Sequence, residues 1–227
     1  MHILSLRISI CCCLLLGVAQ FTQAQRTWIY YQPQHTFLYL PADSIPHANT
    51  TMQSMLVLDS LAGDTLQILP LPELGWDMSV LYPEGFTRFD DLNFDGHPDL
   101  CVRTNSELAY VSEYACWLYR PNTQLFEADT ALSSVWNLLP MPEHELLHSV
   151  WRIGLTEFGH ALYGWRDGKL TLLAEEIESI PPWETEEAMY ITRRWRKDGM
   201  MVEEEFRSTE QRAYHHQKDC ALLPLVK

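Results

Sequence analysis

The chain has 227 residues, 47% hydrophobic and 20% charged, which is enough apolar content for a sizeable core and too little charge for general disorder. Acidic residues outnumber basic ones 30 to 16, for a formal net charge of −14. A surface that negative repels phosphate backbones and excludes nucleic-acid binding as a function class, whereas a cation or a basic protein partner is compatible with it.

Residues 1–24 read as a secretory signal peptide. Arg7 is the one charge before an apolar run from Ile8 to Val18, and Thr22-Gln23-Ala24 presents small residues for cleavage. The run is too short to span a bilayer, and no later stretch is long and apolar enough to do so, so no membrane span is expected. Cys11, Cys12 and Cys13 lie inside the run behind Ile10, a poor lipobox residue, so a soluble exported protein, periplasmic or secreted, is expected. The remainder, 25–227, reads as a single β domain with a C-terminal tail from about 208. Three cysteines remain after cleavage. Cys101 and Cys116 fall on neighbouring predicted strands and can pair in an oxidising compartment, leaving Cys220 free; three buried thiols is the other reading.

The dominant period along the mature chain is two. Strands are predicted at 27–31, 36–40, 52–59, 65–69, 100–103, 114–119, 146–153, 161–165, 170–173, 190–195 and 200–206. Leu61-Ala62-Gly63-Asp64 is a hairpin signal. Asp167-Gly168 and Asp198-Gly199 carry the positive-φ chemistry of type I′ turns. Pro181 and Pro182 break any helix in the Glu-rich stretch from Glu175 to Glu187, which reads as a solvated connection. The expected fold is all-β: an antiparallel sandwich or a meander curled toward a propeller, with little helix.

The most specific chemistry lies between Asp90 and Leu100. With Asp91 as position 1, oxygen side chains fall at positions 1, 3, 5 and 9 (Asp91, Asn93, Asp95, Asp99). Gly96 stands at the sharp turn, and the carbonyl of His97 at position 7. Hard oxygens at this spacing suit Ca²⁺, and the predicted structural metal ligands are Asp91, Asn93, Asp95, His97 and Asp99. Position 12 is Val102 rather than a bidentate Glu, and β-like sequence follows, so no helix–loop–helix sensor is expected. The segment resembles the Ca²⁺ loop that enters a strand in FG-GAP/VCBS-type β repeats.

The resemblance extends through Met52-Gln53-Ser54-Met55, Asn93 to Leu100, Cys116-Trp117-Leu118-Tyr119-Arg120-Pro121 with Phe126, and Tyr163 to Leu170. Together they resemble small exported bacterial proteins that include immunity proteins against peptidoglycan hydrolases, with a fold similar to periplasmic lysozyme inhibitors. That resemblance implies a non-catalytic protein that binds and inhibits a protein partner, such as a basic peptidoglycan hydrolase. Such a role needs a rigid loop and complementary charge rather than a catalytic group.

Two other readings compete. The eight Trp and ten Tyr could form a carbohydrate- or surface-binding face, though β-core packing is their commoner use. His144-Glu145-Leu146-Leu147-His148 matches HExxH, in which a helix would aim two His at Zn²⁺ with Glu145 as general base. Pro140 and Pro142 precede it and strand-like sequence follows, so a zinc peptidase is the third reading. His215-His216 reads as a solvated pair.

Overall fold

In the computed structural model the described residues are 29–41, 52–72, 87–104, 111–153, 156–180, 189–208 and 222–226. The signal segment, Cys220, the His215-His216 pair and Pro181-Pro182 lie outside them. The period-two alternation is realised as three antiparallel sheets with no closed barrel, and the all-β expectation holds.

The first sheet runs β1 (Ile29–Tyr31), β2 (His35–Pro41), β3 (Met52–Asp59) and β4 (Thr65–Pro70), neighbours in chain order. The second runs β5 (Thr87–Asp90), β6 (Asp99–Arg103), β7 (Tyr114–Arg120) and β8 (Leu125–Asp129). A single turn of helix, α1 (Thr130–Ser133), then leads to the third sheet. That sheet holds β9 (Leu139–Met141), β10 (Leu146–Ile153), β11 (Glu157–Arg166), β12 (Lys169–Ser179), β13 (Met189–Lys197) and β14 (Met200–Ser208). The hairpins follow the turn chemistry. Asp167 and Gly168 sit at φ 50° and 71°, and Asp198 and Gly199 at 52° and 81°, as type I′ turns require. Asp59 closes the β3–β4 turn, its Oδ1 accepting from the N–H groups of Leu61 and Ala62.

The second sheet is the middle layer. Leu100, Val102, Trp117 and Tyr119 point one way, into a cluster with Phe37, Met55, Val57 and Leu69 of the first sheet. Their alternate neighbours Cys101, Cys116 and Leu118 point the other way, toward Leu147, Tyr163 and Trp165 of the third sheet. Burial on both faces explains why β6 and β7 read as nearly continuous apolar runs while the outer strands alternate. Each large side chain buried there contributes roughly 1.5–3 kcal/mol. Cys101 and Cys116 are register partners with Cα atoms 4.2 Å apart, and they form a disulfide on the face toward the third sheet. The first and second sheets are also joined by one side chain. Gln67 on β4 donates from Nε2 to the Phe126 carbonyl (2.7 Å) and accepts the Phe126 N–H at Oε1 (2.8 Å).

One expectation needs correction. The Glu-rich stretch is not wholly a solvated connection: β12 continues to Ser179, and Glu176 within it is 1% exposed. Arginines on β13 opposite it supply the compensation that composition alone does not reveal. Within the predicted C-terminal tail, the described residues 222–226 pack onto the third sheet. Leu222 is fully buried, and Leu223, Leu225 and Val226 pack with it on Met141, Leu146, Leu162, Leu173 and Ala174. This short segment covers the face of the third sheet that points away from the second.

Candidate functional site

The acidic loop joins β5 to β6 at one end of the middle sheet, and its side chains fold onto its own backbone. Asp91 accepts with both oxygens, from the Asp95 N–H (3.1 Å) and the Gly96 N–H (2.8 Å). Asn93 Oδ1 shares the Asp95 N–H at 3.1 Å, so the Asp91 and Asn93 oxygens lie side by side. Asp95 Oδ1 accepts the His97 N–H (2.9 Å), and its Oδ2 accepts from Asn93 Nδ2 (2.9 Å). Two left-handed residues, Phe94 (φ 61°) and Gly96 (φ 86°), wind the loop tightly enough for this.

Asp99 differs from Asp91 and Asp95. It is fully buried, and its oxygens accept the Leu92 N–H and the Tyr119 N–H, each at 2.8 Å. Its carboxylate therefore clamps the loop to β7. Burial pushes its pKa up to about 7 against those two hydrogen bonds, with a further push from Asp95 and Asp91. The loop is held from the other side as well, where Trp165 Nε1 donates to the Leu92 carbonyl (2.8 Å). The His97 ring packs 5.5 Å from that of Tyr119, leaving its carbonyl as the predicted ligand atom.

The predicted ligands thus divide. Asp91, Asn93 and Asp95 converge, His97 contributes backbone, and Asp99 is turned inward. Among the described residues no group of three or more His, Cys, Asp or Glu side chains gathers as a metal site, the third convergent side chain being the amide of Asn93. Its donors are hard oxygens, which fit Ca²⁺ or a similar cation. Among the described residues no lysine or arginine forms an ion pair with Asp91, Asp95 or Asp99; the pair nearest in sequence is Arg88 with Asp90 (2.6 Å).

The HExxH segment is not a helix. Pro142–His144 forms a single 3-10 turn, Glu145 is left-handed (φ 51°), and His148 lies on β10. His144 and Glu145 are exposed, whereas His148 is 2% exposed with its ring edge-on to His160 at 5.7 Å. The shared helical face that a zinc peptidase requires is therefore not formed, because Pro142 and the left-handed Glu145 turn the chain directly into a strand.

A second titratable cluster, which the sequence reading missed, runs across the third sheet. His160, Glu176, Arg193 and Glu204 are successive cross-strand partners on β11 to β14. Arg193 donates from Nε to Glu176 (2.8 Å) and again from Nη2, and its Nη1 reaches Glu204 (3.0 Å). Burial alone would raise the Glu176 pKa, but the His160 and Arg193 contacts outweigh it and hold it at about 2. The alternation of Glu on β12 and β14 with Arg193-Arg194 on β13 was the available signal, but it needed the register to be read.

Comparison with protein-family models finds no match, and comparison with curated proteins finds none either. Among solved structures the chain is similar to that of a Xanthomonas type IV secretion system related protein. The TM-score is 0.55 at 15% identity, over 80% of this chain and 94% of that one. A likeness at that identity shows the fold alone. Among the described residues no helix is long and apolar enough to cross a membrane.

Proposed function

We propose that this chain is an exported, non-catalytic β protein whose Asp91–Asp99 loop holds a structural Ca²⁺, and that it binds and inhibits a protein partner such as a basic peptidoglycan hydrolase. One observation carries the metal half of this reading. Asp91, Asn93 and Asp95 converge on a clamped turn with no arginine or lysine ion-paired to them among the described residues, an arrangement a divalent cation would neutralise. The inhibitory half rests on the sequence resemblance to hydrolase-directed immunity proteins and on the net charge of −14, which would speed association with a basic enzyme. The neighbour's description as related to a type IV secretion system agrees with a role at the cell envelope. A loop rigidified by a cation lowers the ordering cost of docking.

Two experiments test the reading. Lysis of purified peptidoglycan by a panel of basic hydrolases should slow on adding the protein, and lysis unchanged by a molar excess with every enzyme ends the inhibitor reading. Separately, Ca²⁺ should raise the melting temperature of the native chain but not that of Asp95→Ala; no rise in either would remove the metal.

A further inference from the structure

A cleft of about 510 Å³ opens beside the acidic loop. Its volume falls within the range of small-ligand sites, about 300–1,000 Å³. Four segments distant in sequence wall it: Phe94 from the loop, His144 and Glu145 from the turn before β10, Trp165 and Arg166 from the end of β11, and Leu223 from the C-terminal turn. Trp165 is a fixed wall because its indole N–H is committed to the Leu92 carbonyl.

Two of these residues, Phe94 and Glu145, hold left-handed φ values of 61° and 51°. That conformation is uncommon outside glycine and an outlier for a bulky side chain. Residues held this way cluster where ligands are gripped. Of the six non-glycine residues at positive φ among the described residues, these two line the cleft.

The polar groups decide the ligand class. Glu145 and Arg166 are both exposed and bring one negative and one positive group, so the cleft favours neither sign of charge. His144 can donate or accept. A neutral polyhydroxylated molecule uses all three: its hydroxyls donate to the carboxylate and accept from the guanidinium, while an apolar C–H face lies on aromatic and aliphatic surface.

We propose that this cleft is a glycan-binding subsite for a neutral di- or trisaccharide segment, with Trp165 as its stacking wall and Glu145 and Arg166 reading the hydroxyls. The surviving half of the HExxH match, His144-Glu145, then serves recognition rather than hydrolysis. The sugar-binding proposal does not rest on inhibition of a protein partner, so each can fail without the other.

The test follows the tryptophan indole N–H resonances while chitotriose, maltotriose or, as a zwitterionic control, triglycine is added. Trp165→Phe identifies the Trp165 signal. One or both sugars should move that signal, saturating at millimolar concentration. Arg166→Ala and Glu145→Gly should each weaken the effect about 5- to 10-fold, the loss of one hydrogen bond. Glycine suits the left-handed position, so Glu145→Gly retains the turn. An indole signal unmoved by either sugar overturns the proposal. So do sugar affinities unchanged in both variants, and so does tighter binding of triglycine than of either sugar.

Discussion

Two acidic regions of this molecule handle the same electrostatic problem in opposite ways. On the third sheet, Glu175, Glu176, Glu203 and Glu204 are matched to Arg193 and Arg194 in a cross-strand ladder, and its innermost carboxylate is 1% exposed. In the β5–β6 loop, Asp91, Asp95 and Asp99 are held by backbone N–H groups. Each carboxylate of that ladder lies within ion-pair distance of an arginine, four glutamates sharing two guanidiniums. The loop carries an excess of negative charge that an external cation would complete. Acidic composition alone therefore does not say whether a protein needs a metal; the location of the basic side chains does.

The comparison can be broken most sharply at Glu176. Glu176→Ala removes the buried partner of Arg193 and leaves it the more exposed Glu204, and should cost about 3 kcal/mol in urea unfolding. A loss no larger than that of a surface ion pair would mean the ladder is not a closed unit. Next in size is the loop. At a Ca²⁺ concentration 100 times its Kd, linkage gives about 2.7 kcal/mol of stabilisation. Calorimetry should show it abolished by Asp95→Ala and unaffected by Arg194→Ala.

The two regions should also respond to pH with opposite slopes. Glu176 is held at about 2 against an ordinary 4.5, so its contribution is complete above the ordinary value and is lost as pH falls through 2. Asp99 is raised to about 7 from 3.8, so the folded chain retains a proton that the unfolded chain has released. Without metal, the Asp99 contribution to stability is then complete below 3.8 and is lost as pH rises through 7. Urea midpoints in chelator should lose the acid limb in Glu176→Gln and the neutral limb in Asp99→Asn. The smallest effect belongs to Arg194→Ala. Its ion pairs to Glu175 and Glu203 are solvent-screened, and the loss should stay within about 1 kcal/mol.

Much of the fold was legible because the hairpin chemistry is local. Asp167-Gly168 and Asp198-Gly199 fix their own φ values, and the strands either side follow. The turn of the acidic loop was legible for the same reason, its predicted ligands lying within nine consecutive residues. What escaped depends on register or distant packing. Glu176 looked solvated until β13 placed Arg193 across from it. Leu222 looked like part of a tail because its partners are Met141, Leu146 and Leu162. Asp99 was read as a ligand from its spacing, whereas its second role comes from the Tyr119 N–H, 20 positions along the chain. The cleft was out of reach altogether, since four separate segments build it.

Gln67 has a consequence beyond joining two sheets. β8 closes one edge of the middle sheet, and the unpaired backbone of an edge strand is a template on which a second molecule can add a strand. A single glutamine side chain occupies both the N–H and the carbonyl of Phe126 with the geometry of a neighbouring peptide. It thus ends the growth of the sheet at that point. Such a stop protects against chain-to-chain pairing as the sheets assemble. Its cost is one residue, and it leaves the outer face of β8 available to solvent.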